Sequence, residues 1–260
     1  MNQNISVFKY RHLLLARLIS DLRTNIAGTK LGYLWMVIDP LLLSGVYYFI
    51  VVVIFDRGGP NFYLFILLGL WPWMFFSRAL SQATASIAKN RNLILTVRAP
   101  LFVYVLSPIF LNGILSLIGI AITLAFIESI SVSGVVIVVA LLIVQGLFIL
   151  GISSFTAVAN CFFADVSKLL EYGLRMGFFL TPVLYDQSRI TDNESIPHAL
   201  SAVLALNPML YIVDGVRSAS IQPKELPIEQ LAIILAISLV LIFSANLMHN
   251  ALRNQIVARI

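Results

Sequence analysis

Charge is scarce in this sequence. Asp, Glu, Lys and Arg together make up 11% of its 260 residues, and hydrophobic residues make up 60%. A soluble domain carries about 25% charged and about 45–50% apolar residues. One small core cannot hide this excess, so the composition excludes a water-soluble domain and implies that lipid is the main solvent. Cysteine is almost absent: Cys161 stands alone, which excludes an internal disulfide and says nothing about compartment. The histidines, His12, His198 and His249, are far apart and show no metal-ligand spacing. There is no Gly-x-x-x-x-Gly-Lys-Ser/Thr loop, so the chain is not expected to bind ATP itself. No nucleophile elbow and no cluster of loop carboxylates is present, so neither catalytic nor metal-binding residues are expected.

What is present is a series of long apolar runs. A spanning helix needs about 20 mostly apolar residues. Runs at roughly 33–55, 61–85, 100–127, 134–162, 166–185 and 229–251 predict an all-helical integral membrane protein with six spans. The fifth run is interrupted by Lys168, Glu171 and Arg175. Basic residues assign the sides. Lys9, Arg11, Arg17, Arg23 and Lys30 precede the first span, Lys89, Arg91 and Arg98 follow the second, and Arg253 and Arg259 follow the last. The alternate links hold few, and the 186–226 segment balances its cations with acids. Both termini are therefore expected in the cytoplasm. The net charge of +5 reads as a topology signal and not as a nucleic-acid footprint. No cleavable leader is expected, because residues 1–30 hold those cations without an uninterrupted apolar core.

Three pieces read as non-spanning. In Val7–Arg23 a helical period gathers Val7, Leu14, Leu15, Leu18 and Leu22 on one face and Lys9, His12, Arg17, Ser20 and Arg23 on the other, with Arg11 and Asp21 off pattern. This predicts an amphipathic helix in the interface, either a plain membrane anchor or a docking element. Ile87–Pro100 is a short basic link, either a helix across the cytoplasmic face or a solvated loop. Ile196–Ala219 is apolar but broken at Asn207-Pro208. Asn favours the helix cap and Pro the first helical position, so two short external helices are expected, re-entrant or lying on the surface.

Ionisable groups inside apolar runs are functional candidates. They are Asp39, Arg78, Glu171 and Arg175. Glu171 and Arg175 stand at i and i+4, where opposite charges meet on one helix face. Arg78 is expected to extend toward the inner surface. Asp39 precedes Pro40, which predicts a bend near the cytoplasmic mouth, with a base such as Arg98 or Arg175 as the carboxylate's partner. Aromatics cluster near mid-span in Val46–Phe49 and Trp71–Phe76. Interface belts would place them at span ends. They serve either helix packing or a stacking wall for sugar rings.

The order of these parts resembles the permease subunit of type-2 ABC exporters for polysaccharides, with the match closest to O-antigen exporters and capsule or teichoic acid exporters also similar. The stretch GTKLGYLWMVIDPLLLSGVYYF (Gly28–Phe49) carries the resemblance most specifically, and LLGLWPWMFF, FFLTPVLYD and LNPMLYIVDGVR look like the family's second span, fifth-span end and external helix. The resemblance implies one transmembrane domain over 1–260: an interfacial helix within 1–30, spans one to five within 33–185, a re-entrant segment at 186–226, a last span at 229–251 and a cytoplasmic tail at 252–260. It implies a multi-pass protein of the bacterial inner membrane, acting as a homodimer with two copies of a cytoplasmic ATPase that binds the ATP and Mg. A lipid-linked polysaccharide would pass an aromatic channel of Tyr47, Tyr48, Trp71, Trp73 and Phe75. Arg11, Arg17, Lys89, Arg91 and Arg98 would couple to the ATPase. Asp39, Pro40, Glu171, Arg175, Asn207 and Pro208 would shape or gate the path. Two departures stand out. Residues 93–100 lack the family's lysines and its aromatic before Pro100, and Ala164 replaces the arginine of the family's Phe-Phe-Arg-Asp. Alternatives remain open: a type-2 permease for a drug or lipid, an ion-coupled carrier, or a membrane-embedded transferase, which would need an acid–base cluster.

Overall fold

A computed structural model of the chain describes residues 11–26, 32, 34–56, 58–59, 61–96, 100–127, 131–188, 197–221 and 225–259. Every regular element among them is helical. In order they are α1 (Arg11–Ile26), α2 (Leu34–Tyr48), which continues as a π-helical turn at Phe49–Ile54, α3 (Phe62–Lys89), α4 (Arg91–Thr96), α5 (Leu101–Leu124), α6 (Val132–Phe162), α7 (Asp165–Leu180), α8 (His198–Ala205), α9 (Pro208–Ser220) and α10 (Ile228–Arg259). Five described helical segments are long and apolar enough to cross a membrane: Leu34–Ile54, Phe62–Lys89, Leu101–Leu124, Val132–Phe162 and Ile228–Ile256. The run expected as a fifth span ends at Leu180 instead of 185. With 16 residues, α7 is about 24 Å long at about 1.5 Å per residue, short of the roughly 30 Å hydrocarbon layer.

The core is built around α3. Of its apolar window 67% is buried, against 11% for α2 and 17% for α10, so α3 is enclosed while those two are peripheral. It packs on α5, α6, α2 and α9; α10 lies along α6, and α1 lies on α5. Lipid offers no water to buried polar groups, so side-chain hydrogen bonds join the helices. Thr84 meets Thr156 at 2.6 Å, Asn112 donates to Gln82 at 2.8 Å, and Gln145 donates to the Pro72 carbonyl at 2.7 Å. Gly119 lets α5 approach the Trp71 indole, because a Cβ there would lie 2.4 Å from the ring.

The helix break at Asn207-Pro208 has two physical supports. Asn207 Oδ1 accepts from the Met209 amide at 3.0 Å, capping α9. Its Nδ2 donates to Thr181 Oγ1 at 2.8 Å, tying the cap to the end of α7. Beyond α7 the backbone of Pro182–Tyr185 is irregular, and Arg217 of α9 serves it. Its guanidinium donates to the carbonyls of Pro182 (2.6 Å), Val183 (2.5 Å), Tyr185 (3.4 Å) and Phe65 (3.1 Å), and it stacks 3.5 Å from the Phe65 ring centroid. Gly69 on α3 makes the space: a Cβ there would lie 2.4 Å from Nη2.

Two readings of the first helix are adjusted. Its described part starts at Arg11, so Val7–Tyr10 lie outside the described residues. Arg17 does not join the solvent face. It pairs with Asp21 at 3.5 Å and lies over the Tyr104 ring at 5.7 Å, while Asp21 accepts from Ser107 at 2.9 Å. The off-pattern acid Asp21 is what turns Arg17 toward α5.

Candidate functional site

Three helices enclose an open groove of about 720 Å³. Each contributes one face at helical spacing. From α2 come Asp39, Leu43 and Tyr47; from α3 come Leu70, Trp73, Met74, Ser77, Arg78, Ser81 and Gln82; from α7 come Ser167, Glu171, Leu174, Arg175, Phe178 and Phe179. The groove is polar at one end and aromatic at the other, because the α2 and α3 sequences change character along these faces.

At the polar end Asp39 Oδ2 accepts from Arg78 Nη2 at 2.5 Å. The partner is thus Arg78, not Arg98 or Arg175. Arg98 lies outside the described residues, and Arg175 bonds Glu171 at 2.6 Å. Arg78 reaches across to α2 instead of running on to the surface. Pro40, buried inside α2, has no N–H and so leaves the carbonyl four residues back without its helical donor. That carbonyl belongs to Met36, and Arg78 Nη1 reaches it at 3.5 Å. The Asp-Pro pair therefore has a shared logic: proline frees an acceptor, and the aspartate recruits the guanidinium that serves it. The Glu171–Arg175 pair is largely exposed in the groove wall.

At the aromatic end Tyr47 and Trp73 flank Phe178, with ring centroids 5.8 and 5.9 Å from it. The structure divides the aromatic candidates. Tyr47 and Trp73 line the groove. Tyr48 packs edge-on against Tyr63 at 6.1 Å. Trp71 turns the other way and donates from Nε1 to Thr123 at 3.0 Å. Phe75 packs toward Gly113 of α5. Phe178, Phe179, Ser77, Ser81 and Gln82 were not singled out from the sequence. On α3 the i, i+4 spacing from Trp73 and Arg78, and on α7 the helical spacing from Glu171 and Arg175, were the available signals.

The coupling candidates are dispersed. Arg11 is exposed on α1, Lys89 closes α3 and Arg91 opens α4, both exposed. Arg17 is packed on α5. Asn207 and Pro208 lie beside a smaller cavity bordered by Trp73, Gly177 and Thr181 rather than in the main groove. Burial pushes the Arg217 guanidinium down to about 9, opposed by the charges of Asp214 and Asp186, so it stays protonated at neutral pH. Among the described residues no three His, Cys, Asp or Glu side chains gather as a metal site.

No family model matches the sequence. Individual proteins do. The O-antigen export system permease protein RfbA of Myxococcus xanthus is 29% identical over 253 residues, covering 96% of this chain and 95% of that protein. A protein of the same name from Klebsiella pneumoniae is 29% identical over 197 residues, 74% of each chain. The polysialic acid transport protein KpsM of Escherichia coli is 26% identical over 222 residues, 78% of this chain and 79% of its own. The Myxococcus xanthus alignment covers nearly the whole chain, and over that length the chain is similar to an O-antigen export system permease.

Proposed function

We propose that the protein is the membrane-spanning half of an ATP-driven ABC exporter that carries a lipid-linked polysaccharide of O-antigen type outward from the cytoplasmic side. The observation that carries this reading is the α2–α3–α7 groove, which joins an aromatic wall to two ion pairs. Sugar rings present C–H faces that rest on aromatic rings, and hydroxyls that bond to charged groups. Tyr47, Trp73 and Phe178 would supply the first contact; Asp39–Arg78 and Glu171–Arg175 the second. Each pair is neutral in sum, which suits a long polymer that must slide.

Two copies would close the path. Leu169, Tyr172, Met176 and Phe179 of α7 are exposed in the single chain, and α2 is barely buried, so these faces are available to a second copy. ATP and Mg would be bound by a separate ATPase, and this chain would bind and gate without bond chemistry. Its motion would arrive through α1 and the α3–α4 corner, by way of Arg11, Lys89, Arg91 and Arg98. In this arrangement α7 is the fifth of six spans, both termini are cytoplasmic, and α8 and α9 form a re-entrant pair in a bacterial inner membrane.

The test is genetic and biochemical. Inactivating the gene should remove polymer from the cell surface while lipid-linked polymer accumulates inside, and an ATPase-dead partner should give the same phenotype. Transport by the purified chain alone under an ion gradient would overturn the reading in favour of a carrier.

A further inference from the structure

A second cavity, of about 300 Å³, opens between α1, the last turns of α3 and α5. Polar side chains stand in its walls: Arg17 and Asp21 from α1, Gln82, Ser86 and Lys89 from α3 and Asn90 just after it, with Pro108 and Leu111 of α5 behind them. It borders the main groove at Ser81 and Gln82 but does not belong to it.

The cations here are incompletely used. Lys89 lines the cavity and makes no ion pair or hydrogen bond among the described residues. Arg17 has a side chain only 13% exposed, shares one nitrogen with Asp21 at 3.5 Å, and has a buried Nε with no partner. Among the described lining residues Asp21 is the one carboxylate, held by Arg17 and by Ser107. Among the described lining residues two cations stand against one anion. Gln82 accepts from Asn112 through its oxygen, which leaves its amide hydrogens to donate.

Depth identifies the ligand. Pro108 lies about 10 Å along α5 from Leu101, at about 1.5 Å per residue. With 28 residues, α3 measures about 42 Å, the full thickness of a bilayer with headgroups, which is roughly 40–45 Å. Its last turn, from Ala85 to Lys89, therefore reaches the headgroup level, and Ser81 and Gln82 lie just beneath it. Basic pockets between helices at that level take anionic headgroups.

We propose that this cavity binds the phosphate of an anionic membrane phospholipid, with Lys89 and Arg17 as cationic contacts and Gln82 as a neutral donor. The bound headgroup would fasten α1 to the end of α3, two elements that share few direct contacts.

The experiment uses the full-length protein in nanodiscs of phosphatidylcholine with or without phosphatidylglycerol, and native mass spectrometry after mild delipidation. Wild type should retain phosphatidylglycerol over phosphatidylcholine. Lys89→Ala should lower that retention about fivefold, the effect of about one surface cation, and Lys89→Arg should restore it. Lys89 is exposed, so folding is not at stake; Gln82→Ala should weaken retention independently. Equal retention by wild type and Lys89→Ala would overturn the site. Protection by millimolar inorganic phosphate, with loss of bound lipid, would overturn the lipid as its source and assign a free anion.

Discussion

Replacing Gly69 with alanine should destabilise the protein, against the ordinary trend. In a helix interior alanine is favoured over glycine by about 1 kcal/mol. Here the added Cβ would lie 2.4 Å from Arg217 Nη2 and 2.9 Å from the Val183 carbonyl oxygen. Both atoms belong to the same hydrogen bond, so the methyl group must part them. Overpacking costs about 1–3 kcal/mol, and a lost bond from a charged donor about 1.5–3 kcal/mol. Subtracting the helix gain leaves a net loss of about 3 kcal/mol. The assay is thermal unfolding of the detergent-dispersed protein followed by tryptophan fluorescence. The reporters lie close by, since Trp71 and Trp73 are on the same helix. Gly45→Ala is the control, because nothing lies within 4 Å of a Cβ there; it should unfold at or above the wild-type temperature. In Gly69→Ala/Arg217→Met the displaced guanidinium is gone, so the two losses should not add. An unchanged or raised unfolding temperature for Gly69→Ala would refute the packing argument.

Other outcomes follow from the groove. Trp73→Ala and Tyr47→Ala should lower export per molecule with membrane abundance preserved, measured as surface polymer against immunoblot; equal export would remove the aromatic wall. Trp71→Ala should instead lower abundance, because it empties a buried site and orphans its bond to Thr123. Asp39→Leu should reduce export, while its effect on stability stays within about 1 kcal/mol because the Asp39–Arg78 pair is partly exposed. The swap Asp39→Arg with Arg78→Asp should recover part of the export, and no recovery would show that the pair's orientation, not its existence, matters.

Much of the fold was legible because hydropathy and end signals act locally. Four of the long apolar helices lie within about four residues of their runs, whereas α10 continues past 251 to Arg259, through the stretch expected as a tail, and Asn207-Pro208 broke the chain through cap chemistry that needs no distant partner. The site was less legible. Trp71 and Trp73 are two residues apart on α3, which is about 200° around a helix, so they face opposite sides. Treating the aromatic run as one wall overlooked that rotation, whereas Trp71 and Phe75 share a side and both pack inward. The partner of Asp39 lies 39 residues away, and only tertiary contact selects Arg78 over other bases. The reversal of Arg17 rests on Tyr104 and Ser107 of α5, which no periodicity within α1 can report. Arg217 passed unnoticed because an arginine in an external segment reads as solvated, and its burial at 1% exposed depends on Gly69 opposite.

The shortness of α7 has a consequence for the lipid around it. Where a helix of about 24 Å stands in a hydrocarbon layer of about 30 Å, the mismatch of about 6 Å is met by thinning the bilayer or by protein shielding the short end. At the Leu180 end the shield is in place, with Thr181, Asn207 and Arg217 closing over the irregular backbone. At the Asp165 end Lys168 and Asp165 are exposed, so an α7 that spans as proposed would draw the membrane surface inward there. On that arrangement the wall that borders the groove would be a thin stretch of dielectric. Along it a polar solute would cross less oil, and a thicker bilayer would lengthen that crossing before it altered any contact within the protein.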